Sequence, residues 1–295
     1  MSNIDYFIDA SMGKPKLILV KYRNYTYGKY TPKVEEVPAH FDARPVTPKM
    51  AYSLHTEYSY SKRKFTNPIF NQLKVLKEAS YRGIPLLWAS KEWAEQFFQF
   101  VDAFIYSTKP PEVIEIHPPY VNYSTIDKFL KIYSTFEKLM VEKYKNTVIA
   151  IENRSGSEYR KNFLISKPAD IGILTKKVKE AELNLKIMLD IPQLFTSLGG
   201  IGKLSMESIK TEFMKFERYK DLIAGIHLYG RDRRAHLGNL DSLFGYDVEF
   251  KNEFLEFISE FFNDGVSRYF VPEVNNGKGY LLSVLDDVNK YFDFI

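Results

Sequence analysis

The chain has 295 residues, 45% hydrophobic and 26% charged, a balance that supports a packed core and excludes general disorder. It contains no Cys, which excludes a disulfide framework, thiolate metal ligands and a cysteine nucleophile. Lys and Arg number 41 against 37 Asp and Glu, and the resulting +4 permits a polyanionic partner without requiring one.

In chain order, residues 16–20 (KLILV) form the first expected strand. Residues 22–49 are rich in Pro, Tyr and Lys and lack a helical period, so residues 22–50 are expected to be a long insertion after that strand, on the top face of the molecule. Residues 51–55 make a poorer strand, followed by a helical stretch over 71–81. Residues 84–90 (IPLLWAS) read as a strand leading into a helix over 91–106. The alternation then becomes regular. Strands are expected at 112–117, 147–152, 185–190, 223–228 and 268–273. Helical stretches follow at 124–144, 169–181, 205–219, 249–263 and 280–294, the first with Ser124 as N-cap and Asp127 at N3.

Eight strands alternating with helices imply a parallel sheet covered by helices. At this length a closed (β/α)8 TIM barrel occupying residues 1–295 as one domain is the leading topology. A doubly wound open sheet is the runner-up, weakened in its dinucleotide-binding form because no G-x-G-x-x-G follows the first strand. The first ten residues carry two Asp and no apolar run of signal-peptide length, and no apolar stretch is long enough to span a bilayer. The expectation is a cytoplasmic protein with no membrane partner.

What ends the strands carries the functional reading. Five successive strands finish in His117, Glu152, Asp190, His227 and Glu273. In a barrel these positions converge on the top face. Alone, His117 reads as a hydrogen-bonded structural His and Asp190 as a cap on the turn before Ile191-Pro192. Together, two imidazoles and three carboxylates have the composition of a site for Mn²⁺, Zn²⁺, Mg²⁺ or Co²⁺. Without a cation, converging carboxylates would raise one another's pKa.

At these residues the sequence resembles the xylose isomerase-like TIM barrel superfamily, which includes endonuclease IV and sugar isomerases and epimerases. The resemblance covers roughly residues 84–295. Residues 151–156 (IENRSG) look like the endonuclease IV branch's E-N-x-x-G. Residues 189–195 (LDIPQLF) look like its D-x-x-H-x-F with Gln193 in place of His, and residues 116–119 like its H-P-G with Pro119 in place of Gly. That branch holds three zinc ions. By resemblance, His117 and Glu152 serve the first ion, and Glu152 bridges to a second held by Asp190, His227 and Glu273. The third expected strand offers Trp88-Ala89-Ser90 where the branch has a His. The third ion's Asp-x-His looks like Asp232-Arg233-Arg234, a remnant of that site, with His236 nearby. The three-metal site is therefore expected to be degenerate. The isomerase and epimerase branch needs one ion held by Glu, Asp, His and Glu, which Glu152, Asp190, His227 and Glu273 match in full. Arg233 lies six residues after His227, where that branch often contacts substrate.

Two chemistries follow from one residue set. As a hydrolase of DNA phosphodiesters at abasic or damaged sites, the chain would use one or two Zn or Mn ions, with Glu152 and Glu273 catalytic. Arg231, Arg233 and Arg234 would neutralise phosphate, and Tyr25, Tyr27, Tyr30 and Lys29 would contact DNA unless they only pack their loop. As a sugar or sugar-phosphate isomerase or epimerase, Glu152 and Glu273 would shuttle a proton beside one ion, Trp88 would wall the sugar and Gln193 would face a hydroxyl. Loop wording leans the expectation to the endonuclease-like enzyme, and a degenerate barrel without catalysis is the third reading.

Overall fold

Strands with two buried faces need apolar residues on both, and alternation along each strand then decides what faces the barrel axis. The computed structural model describes residues 13–56, 64–81, 84–106, 109–156, 162–230, 238–275 and 277–295. Eight parallel strands run in sequence order: β1 (Lys16–Lys21), β2 (Val34–Ala39), β3 (Ala51–Thr56), β4 (Val113–Ile116), β5 (Val148–Glu152), β6 (Leu185–Asp190), β7 (Ile223–His227) and β8 (Arg268–Val271). Pairing of Leu17 with Arg268 and of Leu19 with Phe270 closes the sheet into a barrel. A two-residue strand, Asp293–Phe294, adds to the start of β1.

Helices cover the later strands: α1 (Lys74–Glu78), α2 (Lys91–Asp102), α3 (Ile126–Lys143), α4 (Pro168–Glu180), α5 (Ile191–Ser197), α6 (Met206–Phe213), α7 (Leu240–Leu243), α8 (Val248–Phe261) and α9 (Lys278–Asn289). Helix α3 starts one residue later than the sequence reading places it. Its N-cap is Thr125, whose hydroxyl accepts from Lys128 N at 3.2 Å. Ser124 Oγ instead donates to the Thr125 carbonyl.

Two expectations about the first third of the chain are corrected. Residues 22–50 are not one insertion, because Val34–Ala39 is the second barrel strand, paired to β1 and β3. Its sequence, VEEVPA, hides the strand: Pro38 and two Glu interrupt the apolar alternation. Conversely, residues 84–90 are not a barrel strand. Ile84–Pro85 forms a short antiparallel hairpin with Ser80–Tyr81, and Ser90 caps α2 by accepting from Trp93 N. Leu87 and Trp88 are buried where they pack beside that helix, so the apolar run belongs to the helical layer.

Inside the barrel the period of two stacks apolar residues low and polar ones high. Val20, Val34 and Val271 form one interior cluster, and Val113, Ala150 and Met188 another. Two residues above Val34, Val113, Ala150 and Met188 come Glu36, Glu115, Glu152 and Asp190. Gly225 on β7 permits the close packing, since a Cβ there would lie 2.5 Å from Met188 Sδ and 2.8 Å from the Tyr269 carbonyl oxygen. No helix among the described residues is long and apolar enough to cross a membrane.

Candidate metal centre

The strand ends bring eight ionisable side chains together: Glu36, His55, Glu115, His117, Glu152, Asp190, His227 and Glu273. Four overlapping sets have ligand atoms within 4.8 Å of one another: His55–His117–Glu152, Glu36–His55–Glu273, Glu115–Glu152–His227 and Asp190–His227–Glu273. All five of the expected strand-end residues belong to this constellation.

One corner lies between β3 and β5. His117 Nε2 is 2.9 Å from Glu152 Oε2 and 3.1 Å from His55 Nε2. His55 Nε2 is in turn 3.3 Å from Glu152 Oε2. Burial pushes the His117 imidazole down to about 3, against the opposing effect of Glu152. Burial would also lower His55, but Glu36 and Glu152 outweigh it and hold that imidazole well above its ordinary value. For Glu152, burial would raise the carboxyl; Arg154, whose Nη1 donates to Oε1 at 2.8 Å, and His117 and His55 overcome it and keep the group well below the usual carboxylate range.

The opposite corner lies between β6, β7 and the end of β8. Asp190 both caps α5, accepting from Gln193 N at 2.8 Å, and joins the cluster, so the cap and the ligand reading hold together. Tyr229 donates to Asp190 Oδ2 at 3.1 Å. The Asn153 side chain clamps the Asp190 backbone, accepting from its N at 2.8 Å and donating to its carbonyl at 3.0 Å. Burial, then the charges of Glu152 and Glu273, raises the Asp190 carboxyl well above its ordinary value. His227 Nδ1 lies 3.0 Å from Glu273 Oε1. The turn carrying Glu273 is tied down two residues later, where Asn275 Oδ1 accepts from Arg23 and Tyr22 and the Asn275 carbonyl accepts from Tyr25.

This donor set fits a divalent cation. It mixes imidazole nitrogen with carboxylate oxygen, as Zn²⁺ and Mn²⁺ sites do. It crowds five carboxylates into a buried space, and Glu36 Oε2 is buried there with no donor among the described residues. A cation would relieve both the repulsion and the unmet acceptor.

The remaining expectations divide. Trp88 does not wall the site. It is 1% exposed, its ring packs edge-on to Phe97, Phe129 and Phe136, and its indole N–H donates to the His117 carbonyl at 2.7 Å. It thereby fixes the backbone that carries His117. Gln193 is buried near Asp190, with its side-chain oxygen accepting from Ser155 Oγ at 2.6 Å. Arg231, Asp232, Arg233, Arg234 and His236 lie outside the described residues. Tyr27 and Tyr30 are buried in their own loop, with Tyr27 accepting from Tyr22 N and Tyr30 donating to Asp286, so they present no stacking face.

His55 is the site residue that the strand count displaced. The expected third strand at 84–90 offers no His, whereas the third barrel strand, β3, carries one as its penultimate residue. The signal was present, because residues 51–55 already read as a strand finishing in His. Glu36 lies inside the stretch expected to be an insertion, and Glu115 lies within the apolar run VIEI, two residues before His117.

No protein-family model matches the chain, and no curated protein does. Among solved structures it is similar to the apo form of the 3-keto-D-glucoside 4-epimerase YcjR from E. coli, at 11% identity and a TM-score of 0.40 over 82% of this chain and 79% of that one. It is also similar to the probable 3-DHS dehydratase AsbF involved in petrobactin synthesis from Bacillus anthracis, at 11% identity and a TM-score of 0.43 over 81% and 76% of the two chains. Likeness at this level adds nothing to what the barrel itself displays.

Proposed function

We propose that the chain is a divalent-metal-dependent enzyme that moves a proton beside the carbonyl of a free or phosphorylated sugar, as an isomerase or epimerase. The observation that carries this reading is the placement of Glu152 and Glu273 on separate strand ends, each within a set of ligand atoms that includes His227, with Asp190 completing the second. Glu152, Asp190, His227 and Glu273 would hold the ion, and a bound Mn²⁺ or Zn²⁺ would polarise a carbonyl and its neighbouring hydroxyl. Glu152, kept ionised by Arg154, accepts the proton α to the carbonyl, and Glu273 returns one from its own side. Asn153 and Tyr229 hold Asp190 in place, and Trp88 holds the His117 backbone.

The test is solvent deuterium exchange into a panel of free and phosphorylated ketoses. Exchange by the Mn²⁺-loaded protein that disappears in Glu152→Gln supports the reading. No exchange across the panel overturns it.

One observation favours a second reading. His55 joins His117 and Glu152 in a set that could hold a metal, and the resemblance to the endonuclease IV branch would make it the first site of a two-ion phosphodiesterase acting on abasic or damaged DNA. Against it, Tyr27 and Tyr30 are packed away. Salt-sensitive binding and cleavage of an abasic-site duplex would establish it. No DNA binding at low salt would end it.

A further inference from the structure

Glu115 has no part in either ligand set that the resemblance implies, yet it is fully buried at the centre of the barrel. Its Oε2 lies 2.9 Å from His227 Nε2, while His227 Nδ1 lies 3.0 Å from Glu273 Oε1. Both imidazole nitrogens thus face carboxylates, and neither pair reaches the in-line geometry of a hydrogen bond. A neutral imidazole carries one N–H and one lone pair, so it can donate to one of these carboxylates only. The other nitrogen suits a cation shared with its carboxylate. Glu273 lies at Nδ1 and belongs with Asp190 to one set around His227, and Glu115 lies at Nε2 and belongs with Glu152 to another.

We infer that Glu115 is a positioning residue for His227: its carboxylate accepts the hydrogen bond of Nε2–H, which fixes the tautomer whose Nδ1 lone pair would serve an ion held with Asp190 and Glu273. The relation is that of a carboxylate behind a metal-bound histidine, which orients the ring and raises its basicity. β4 is built to supply it. Alternation aims Glu115 inward one layer below His117, and the register that pairs His55 with Glu115 keeps it at the level of the ligand layer. On the first strands Glu36 stands similarly to His55, with Oε1 3.5 Å from Nδ1, the nitrogen turned away from His117 and Glu152.

The inference rests on the metal-dependent reading, and the test separates the two. Cobalt(II) is titrated into the wild-type chain, Glu115→Gln and Glu115→Asp, with affinity and stoichiometry read by calorimetry, ligand field by the visible spectrum and folding by circular dichroism. The wild type binds cobalt. Glu115→Gln keeps the stoichiometry, loses about 10- to 100-fold in affinity and shifts the cobalt bands. Glu115→Asp, too short to reach Nε2, does the same and covers the case in which the Gln variant does not fold. Unchanged affinity and bands in a folded variant overturn the inference while leaving the metal reading intact. Loss of one ion per chain also overturns it, by making Glu115 a ligand. Absence of cobalt binding by the wild type overturns the metal reading and the inference with it.

Discussion

The barrel has two unlike arcs. From β4 to β8, helices join the strands and pack on their outer faces. From β1 to β3 no helix intervenes, and the connections at 22–33 and 40–50 are loops. On the first arc, aromatic side chains of the loops tie the outer face to neighbouring helices. Phe41, in the loop after β2, stacks on Phe65 at 4.6 Å and meets Phe70 and Phe100 edge-on or tilted. The loop after β1 docks on α9, with Tyr30 donating to Asp286 and Gly28, at positive φ, set against Leu282. Yet both arcs present acid and imidazole at the same height. Glu36 and His55 come from the first arc, and six partners come from the second. What the site needs from each strand is its inward alternation, whether a helix or a loop follows that strand.

The largest expected effect lies on the regular arc. Glu152→Gln should lower proton exchange by about 10²- to 10⁴-fold, the range for losing a general base, with the fold intact by circular dichroism. If Phe41 anchors the cover of the first arc, Phe41→Ala should cost about 3–5 kcal/mol in urea unfolding, comparable to Trp88→Ala in the helical layer. A much smaller loss for Phe41→Ala would break the comparison.

An acid-limb experiment sharpens it at β8. Arg268 donates from Nη2 to Asp264 at 2.7 Å and holds that carboxyl below its ordinary value against the opposing effect of burial. A depressed pKa gives stability that is present above the unfolded value, about 3.9, and is lost as pH falls toward the folded one. Asp264→Asn should therefore destabilise by about 1.5–3 kcal/mol at pH 7, with the difference shrinking below about pH 4. The smallest effect is at α3, where Thr125→Ala should cost about 0.5–2 kcal/mol and Ser124→Ala less, as thermal melts of the two variants would record.

The second arc was legible because its residues obey both periods at once. Strands such as LKIMLD alternate with amphipathic helices, and each strand ends at or within two residues of a side chain that the site uses. The first arc was opaque for physical reasons. VEEVPA pairs on both edges and so gains its strand conformation from neighbours that local sequence does not contain. IPLLWAS has the apolarity of a core strand but spends it on packing beside α2. That exchange of one strand for another hid His55 and Glu36 and made Trp88 look like a site residue. Asn153 and Tyr229 act on Asp190 only through side-chain hydrogen bonds that the fold creates.

The most direct measurement is native mass spectrometry of the cobalt-loaded chain beside Asp190→Ala and His55→Ala. A metal centre founded on Asp190, His227, Glu273 and Glu152 predicts that the wild type carries the ion, that Asp190→Ala loses it, and that His55→Ala retains at least one. Equal cobalt retention by wild type and a folded Asp190→Ala variant would contradict that centre.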